Sequence, residues 1–294
     1  MRVLLVLAVV LLVGCQACLP PLPAWQSPEG REHAELGQIV DLRTGQRLSP
    51  QQLLEHLAPA PRVLVGEKHD NPDHHALQLW LLQALEARRR QGSLLLEMLT
   101  PEQQSKVDAL HARVLGGQQV ADLPAALAWQ KGWPWALYGP IVRHALAQPY
   151  PLLAANLERA QVRQIYRKRP PLTGPLSTAA AVHGPLLAQI ETSHCDKLPK
   201  SQLPAMLAVQ QQRDRRMATA LLAAPQPSLL FAGIFHVRRD LGVPLHLADL
   251  GDSAASLVLI LAEVGQPVGA AAADFVWFTP ALPRRDYCAD FAGS

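Results

Sequence analysis

The chain has few charged and few aromatic residues. Charged residues make up 17% and aromatic residues 5% of its 294 positions. Its 27 basic residues nearly balance its 24 acidic ones, so we expect no nucleic-acid partner, because such partners bind strongly basic surfaces. Apolar residues, at 49%, supply enough material for a core, and this excludes global disorder.

Long apolar runs are also absent, except at the amino terminus. There Arg2 is followed by apolar residues from Val3 to Val13. This run of about a dozen residues is typical of an export signal and is shorter than the roughly 20 residues that span a bilayer. No later stretch is long enough and free enough of charge to span. The sequence therefore predicts an exported protein whose mature form has no transmembrane helix.

The end of this run carries a second signal. Leu12-Val13-Gly14-Cys15 resembles the lipobox of bacterial lipoproteins, which implies a signal peptide over residues 1–14 and acyl chains on Cys15. Several acyl chains on one residue anchor a protein stably, whereas a single chain binds only marginally. Gln16 after the cysteine implies, by the same resemblance, the outer membrane. Ordinary signal cleavage near Ala17 is the alternative.

Composition divides the remaining residues into a linker and a domain. Residues 15–36 are rich in proline, with Pro20, Pro21, Pro23 and Pro28, and this predicts an extended linker between membrane and domain. Residues 37–294 are long enough for one large domain. Of the four cysteines, Cys195 and Cys288 are the pair inside this domain. An oxidising envelope permits a disulfide between them, but spacing alone leaves the bridge open.

Strand and helix signals alternate through the domain. Short apolar runs predict strands, and capping residues followed by apolar periodicity predict helices between them. The strands are expected at 38–41, 62–66, 93–97, 151–156, 228–235, 257–262 and 275–278. Helices are expected from 50, from 71 to about 90, from 100, and over 158–169 and 203–224. This alternation predicts an α/β fold, a mostly parallel doubly wound sheet flanked by helices, with a helical insertion at about 104–148.

Unusual polar residues follow four of the predicted strands. They are Glu67 with His69, Glu97, Asn156 with Arg159, and His236. The carboxyl ends of parallel strands share one rim, where ligands bind, so these side chains should converge. Glycine before each Glu and His pair is expected to let the backbone turn away sharply.

Each of these residues also has a simpler explanation. A single Glu after a strand is commonly a helix cap, and a single His on an apolar face is usually a hydrogen-bonded core residue. Four strand ends that all carry such residues favour a polar site, because buried charges require partners. His74, in line with the apolar face of the next helix, and Asn156 are expected to support this site.

Five motifs in this order resemble the ChaN-type haem-binding uptake lipoproteins of the Tiki and erythromycin-esterase superfamily. They are Val65–Pro72 with His74-His75, Leu96-Glu97-Met98, Ala155–Arg159, Arg213-Asp214 and Gly233–Val237. The resemblance implies haem as cofactor and a role with the haem-uptake machinery of the outer membrane. It also implies a haem-linked homodimer that holds two haems face to face. In such a dimer a tyrosine binds each iron, and His and Lys of the partner subunit bind the propionates.

The tyrosine is the least defined part of this resemblance. Four tyrosines are present. A phenolate oxygen suits ferric iron, so a tyrosine is the expected ligand. We select Tyr138 because it lies in the apolar, aromatic segment 135–140, where a flat porphyrin could be sandwiched. His144 and Lys131 are the expected propionate partners. The alternative for any of these tyrosines is a packed side chain whose hydroxyl binds a protein oxygen.

Two functions are therefore open. The first is haem capture or relay without chemistry on the ligand. The second is hydrolysis, which the resemblance to the superfamily's enzymes implies through the paired Gly-x-x-His motifs. In that reading the site residues are Glu67, His69, Glu97, His236 and Arg159. In a metal-dependent form of this second reading, His69, Glu97 and His236 bind a divalent metal.

Overall fold

The computed structural model describes residues 19–252, 254–284 and 288. The predicted signal peptide, the predicted anchor Cys15 and Tyr287 lie outside these residues. Eight strands form one sheet. Their bounds are β1 Ile39–Asp41, β2 Arg47–Leu48, β3 Arg62–Glu67, β4 Ser93–Leu96, β5 Leu152–Ala154, β6 Ser228–Gly233, β7 Ser256–Glu263 and β8 Phe275–Thr279.

Helices connect most of these strands. The α-helices are α1 Pro50–Leu57, α2 Pro72–Glu86, α3 Pro101–Leu115, α4 Leu123–Ala126, α5 Trp135–Leu146, α6 Arg159–Lys168, α7 Ala180–Ser193, α8 Leu203–Ala223, α9 Ile234–Val237 and α10 Val243–Asp249. A 3₁₀ turn at Lys200–Gln202 precedes α8. None of the helices in the described part of the chain combines the length and apolar character of a bilayer-crossing segment.

The strand order in the sheet is β2-β1-β8-β7-β3-β6-β4-β5. The pairs from β8 to β5 are parallel, and the edge strands β1 and β2 run antiparallel. The prediction of a mostly parallel α/β sheet is therefore confirmed. Helices on both faces bury it, which explains why the central strands are apolar along most of their length.

Two apolar clusters fill the two faces of the sheet. One packs α2, α3 and α5 against side chains such as Leu94 and Phe231. The other packs α8 and α10 against side chains such as Leu95 and Val258. Within the predicted insertion, α3 and α5 contribute Val107 and Ile141 to the first cluster, so these helices form part of the main core.

Helix starts follow the capping residues read from the sequence. Ser49 and Gln52 form a reciprocal capping box at α1, and Pro50 occupies its first position. The side chain of Asn71 accepts hydrogen bonds from the first turn of α2. Thr100 and Gln103 repeat the capping box at α3. These local signals fix where each helix leaves the sheet, and hence where its first-turn side chains lie.

Several predicted boundaries differ from the structure, and two of these differences have a visible cause. Helix α2 ends at Glu86 and not near residue 90, and the Arg89 guanidinium folds back to donate to the carbonyls of Leu57, Ala58 and Ala60. Strand β6 ends at Gly233 because the short helix α9 begins at the next residue. Helices α7 and α10 had no sequence prediction; α7 contains an internal proline and packs on α8.

We predicted that the proline-rich segment is a linker, but the part described from residue 19 lies against the domain, without regular secondary structure up to residue 28. The indole of Trp80 donates to the carbonyl of Pro20 at 2.8 Å. The backbone N–H groups of Gln26 and Ser27 donate to the carboxylate of Asp73, at 2.6 and 2.8 Å. These bonds attach the segment to the first turn and the middle of α2.

Cys195 and Cys288 form a disulfide, which answers the question that spacing left open. The bridge joins the end of the α7 region to the carboxyl-terminal segment across 93 residues of sequence. The ammonium of Lys197 also donates to the carbonyl of Cys288 at 3.0 Å. The closed loop contains α8, β6, β7 and β8, so the bridge constrains this part of the chain in the unfolded state.

We expect Cys195→Ser to lower the free energy of unfolding by about 2–5 kcal/mol, because loss of a native bridge restores entropy to the unfolded chain. Thermal unfolding followed by circular dichroism measures the effect. Reduction with dithiothreitol should lower the melting temperature of the wild type and leave that of the variant unchanged. Equal melting temperatures of the oxidised wild type and the variant would contradict the expectation.

Candidate functional site

The site lies where three neighbouring parallel strands end. Strands β3, β6 and β4 are adjacent in the sheet, and their register pairs Glu67 with Gly233. The backbone N–H of Glu97, just beyond β4, donates to the carbonyl of Phe231 on β6 at 3.1 Å. Because adjacent strands lie about 4.8 Å apart, this register brings residues distant in sequence within hydrogen-bonding reach.

Glu67 and His69 form the first half of the site. The Nδ1 of His69 lies 2.7 Å from Oε1 of Glu67, and the hydroxyl of Tyr138 donates to the same oxygen at 3.1 Å. The Glu67 side chain is fully buried, whereas that of His69 is 44% exposed. Burial opposes the charged imidazole, but the hydrogen bond and charge of Glu67 outweigh it and raise the pKa of His69 to about 9. His69 is therefore an imidazolium at neutral pH.

Glu97, His236 and Asp214 form the second half. The Nδ1 of His236 lies 2.5 Å from Oδ1 of Asp214, and its Nε2 lies 3.4 Å from Oε1 of Glu97. Burial disfavours the imidazolium, but the two carboxylates outweigh it and raise the pKa of His236 to about 10. Burial raises the pKa of Glu97, but His236 and then His69 reverse this and hold it well below the usual range. Burial raises the pKa of Asp214 to about 6 despite the charge of His236.

Gly233 joins the two halves. Its backbone N–H donates to Oε2 of Glu97 at 2.8 Å. A Cβ atom at this position would lie 2.9 Å from Nε2 of His69, so only glycine lets the ring approach the strand end. The φ of Gly233 is an ordinary −58°, which means that this glycine supplies space and not the sharp turn that we expected.

We call Glu67, His69, Glu97, Tyr138, Asp214 and His236 the strand-end cluster. The predicted convergence of Glu67, His69, Glu97 and His236 is confirmed by these contacts. Asn156 supports the cluster, because its side-chain N–H donates to the carbonyl of Glu97 at 2.9 Å.

Asp214 had no predicted role in the site, although its motif was recognised. It continues the buried stripe of α8 formed by Leu207, Gln211, Met217 and Leu221. An acid on a buried stripe requires a partner, since an isolated buried charge is costly. This pattern is the signal that could have identified it.

His74 is a supporting residue, as expected. Its Nδ1 accepts from the backbone N–H of Lys68 at 2.8 Å, and its Nε2 bonds the Thr279 hydroxyl at 2.9 Å. Full burial, with smaller effects of His75 and Lys68, keeps its pKa well below the ordinary value, so the ring is neutral. The neighbouring ring of His75 lies 3.1 Å from the carbonyl of His69 and packs edge-on against Tyr138. Both rings fix the loop that carries His69.

The residues predicted to hold haem, and Arg159 of the predicted catalytic set, lie in different places. Tyr138 belongs to the strand-end cluster, while His144 lies 2.8 Å from a carboxylate oxygen of Glu86. Lys131 and Arg159 line a surface cavity of about 430 Å³ that neither Tyr138 nor His144 lines. Another cavity, of about 490 Å³, is lined by Glu67, Lys68 and His69 and by the apolar side chains of Ile234, Phe235 and Val268. Arg159 does not line this cavity. The three residues predicted to hold haem are thus not brought together.

The expected divalent-metal set has no matching arrangement. Within the described residues, no three His, Cys, Asp or Glu side chains are placed to hold a metal ion. In both His69 and His236, the Nδ1 atom already has a carboxylate partner. The strand-end cluster instead provides paired imidazoles and carboxylates that could hold and move protons beside an apolar cavity.

Comparison with known proteins identifies the chain's relatives. The model of the family described as haem-binding uptake, Tiki superfamily, ChaN matches residues 53–247. No curated protein sequence matches the chain. A structure showing cofacial haem binding to ChaN of Campylobacter jejuni is similar, at 30% identity and a TM-score of 0.75. The match covers 82% of this chain and 95% of that one.

More distant structures include a mutant of the erythromycin esterase EreC in its open conformation and a succinoglycan biosynthesis protein. The esterase has 14% identity and a TM-score of 0.46, covering 86% of this chain and 85% of that one. The succinoglycan protein has 12% identity and a TM-score of 0.43, covering 72% and 68%. The family match spans β3, β4 and β6, the strands that carry the cluster. The chain therefore belongs to the ChaN family of haem-binding uptake proteins in the Tiki superfamily.

Proposed function

We propose that this protein is a haem-binding lipoprotein of the bacterial outer membrane that takes part in haem and iron uptake. The observation that carries the proposal is the 30% identity, over 82% of the chain, to the ChaN whose structure shows cofacial haem binding. The lipobox at Cys15 and the Gln16 that follows it support the membrane location. The partners in this proposal are haem, the uptake machinery and a second copy of the chain.

Tyr138 does not suit the predicted role of iron ligand in this conformation. Its side chain is only 1% exposed, and its hydroxyl donates to Glu67. Burial, followed by the charges of Glu67 and Glu97, raises its pKa far above the ordinary value. An iron ligand must present a phenolate oxygen to a flat, bulky group, and Tyr138 is buried and held as a neutral phenol. Tyr150 is likewise buried, with its hydroxyl on Glu86.

Tyr166 suits the role better. It is half-buried on α6, and none of the described groups forms a hydrogen bond to its hydroxyl. Val162, Arg163 and Arg167 line a mostly apolar cavity of about 230 Å³ with it. Tyrosine oxygen is an established axial haem ligand, and guanidinium groups bind carboxylates such as propionates. A bound haem would supply a ferric iron that takes an oxygen ligand, and Tyr166 places a hydroxyl on this helix surface.

A shallow surface of this kind covers only one face of a porphyrin. Haem-linked pairing of two copies would cover the other, which agrees with the cofacial arrangement named for the Campylobacter protein. Apolar burial of the second face would then contribute most of the dimer's stability. We therefore propose a homodimer that forms when haem binds.

We expect Tyr166→Phe to lose the tyrosinate-type absorbance that wild-type protein develops on titration with haemin, because phenylalanine has no oxygen ligand. The haemin affinity should fall at least tenfold. Tyr150→Phe, whose parent hydroxyl is buried on Glu86, is the matched control and should retain the spectrum. The variant Tyr138→Phe distinguishes Tyr166 from Tyr138 as the iron ligand. Loss of the spectrum in Tyr138→Phe with its retention in Tyr166→Phe would show that the buried tyrosine is the ligand.

A second candidate function is hydrolysis by general acid catalysis. The observation that favours it is the half-exposed imidazolium of His69, backed by buried Glu67, at the edge of a cavity of about 490 Å³. In ester hydrolysis, water attacks the carbonyl carbon and the bond to the alcohol oxygen breaks. A histidine with a raised pKa can donate a proton to that oxygen, and the proton released by the attacking water restores the imidazolium. Glu67 would hold the ring and its proton, and the apolar wall near Phe235 would exclude water from one side.

We expect Glu67→Gln to lower the pKa of His69 from about 9 towards the ordinary value near 6.5, because the charge and acceptor that stabilise the imidazolium are lost. Since the folded-state pKa is raised, the stability that this pair contributes is full below pH 6.5 and disappears as pH rises through about 9. NMR titration of the imidazole gives the pKa. Urea unfolding at several pH values gives the stability, and a difference between wild type and variant that grows with pH would contradict the assignment.

For catalysis itself, a neutral aliphatic ester such as methyl butyrate is the probe, with acid release followed in a pH-stat. We expect His69→Gln to lower the rate at least tenfold, and the wild-type rate to fall above about pH 9 as the imidazolium is lost. Lys168→Gln, on the surface of α6, is the control. Equal rates for wild type and His69→Gln would remove this candidate function and leave haem binding unaffected.

A further inference from the structure

A second cavity, lined by arginines, lies beside the strand-end cluster. It measures about 370 Å³, and Arg159, Arg163 and Arg213 line it together with Gln130, Trp133 and Asn156. We call it the arginine groove. Arg159 and Arg163 come from α6, one helical turn apart, and Arg213 comes from α8. Its lining includes no carboxylate among the described residues.

The three guanidinium groups have no directly bonded partner. None of them forms a hydrogen bond or an ion pair with another described residue. The Nε of Arg213 is buried without an acceptor. Like charges gathered on one partly shielded surface repel each other, and a buried donor without an acceptor costs free energy. A bound anion would relieve both costs.

Asp214 does not supply this anion. It follows Arg213 on α8 and is influenced by its charge, but its Oδ1 is already 2.5 Å from Nδ1 of His236. The strand-end cluster contains three carboxyl groups, those of Glu67, Glu97 and Asp214, and two imidazole groups, those of His69 and His236. Acidic groups therefore outnumber basic ones by one, and one further positive charge would balance them. Arg213 is a candidate for that charge, because it directly precedes Asp214 on α8 and its charge opposes the burial that raises the pKa of Asp214 to about 6. Arg159 and Arg163 then remain as excess positive charge in the groove.

The groove and the strand-end cluster are in contact. Trp133 lines the groove, and its ring packs edge-on against that of His69 at a centroid separation of 4.9 Å. Asn156 lines the groove and also donates to the carbonyl of Glu97. A ligand held in the groove would therefore lie one side chain away from the imidazolium of His69.

We propose that the arginine groove binds the phosphate or carboxylate group of a small anionic ligand, whose remainder extends towards the strand-end cluster. Guanidinium groups donate in parallel pairs to the oxygens of these two groups, which favours them over a halide. The side-chain amide of Gln130 adds an uncharged donor. The volume suits a compact molecule and not a porphyrin. Tyr166 does not line the groove, although Arg163 lines both cavities, and this proposal does not depend on haem binding.

Isothermal titration with inorganic phosphate, pyrophosphate and citrate tests the groove on full-length protein. Constant ionic strength is required, because it removes general screening effects. We expect saturable binding of at least one probe, and a tenfold or larger loss of affinity in Arg159→Gln and in Arg213→Gln. Tighter binding of the phosphates than of citrate would identify a phosphate ligand, and the reverse order a carboxylate ligand.

Lys168→Gln, which removes an exposed charge from the same helix outside the groove, should bind the probes as the wild type does. Circular dichroism checks the fold of Arg213→Gln. If that variant does not fold, the affinity of Arg159→Gln, which changes an exposed residue, is the deciding measurement. Three outcomes would overturn the proposal: no saturable binding of any probe, full affinity in Arg159→Gln, or an equal loss in Lys168→Gln. Because none of the probes contains a porphyrin, the result is independent of haem binding.

Discussion

Three carboxylates, those of Glu67, Glu97 and Asp214, are buried at the carboxyl ends of the central strands or against them. A buried carboxylate is stable only with positive or hydrogen-bonding partners, and here two imidazoles, a tyrosine hydroxyl and a backbone N–H provide them. The order β3-β6-β4 in the sheet places these groups together. The rest of the local structure follows, since His74 and His75 hold the loop of His69 and Asn156 holds the chain after Glu97.

Much of this arrangement could be predicted because it depends on local patterns. Apolar runs that end in Glu or His marked the strand ends, and the shared rim of parallel strands implied that Glu67, His69, Glu97 and His236 meet. Asp214 was missed because it comes from the middle of a helix, where only the tertiary fold shows which side chain reaches His236. Tyr138 was recognised as important, but its burial against Glu67 depends on how α5 packs on α2, which no local pattern records.

The two proposed ligand sites differ in the physical property that each uses. The surface of α6 around Tyr166 offers an oxygen ligand and apolar contact for a flat group that a second copy can cover. The arginine groove offers concentrated positive charge and hydrogen-bond donors for a compact anion. Residues of α6 line both sites, and Arg163 belongs to both cavities. Occupation of one could therefore alter the other through this side chain, which is a direct physical connection between them.

If Cys15 carries lipid, as we propose, the attachment of the proline-rich segment limits how far the domain can stand from a bilayer. Pro20 is bound to Trp80, and Gln26 and Ser27 are bound to Asp73. With the lipid that we propose on Cys15, only about five peptide units separate the acyl chains from Pro20, a reach of at most about 18 Å. A free linker to residue 36 would reach roughly four times as far. The domain would thus be held close to the lipid headgroups with one side of α2 facing them, which restricts the directions from which a second copy or an uptake receptor can approach.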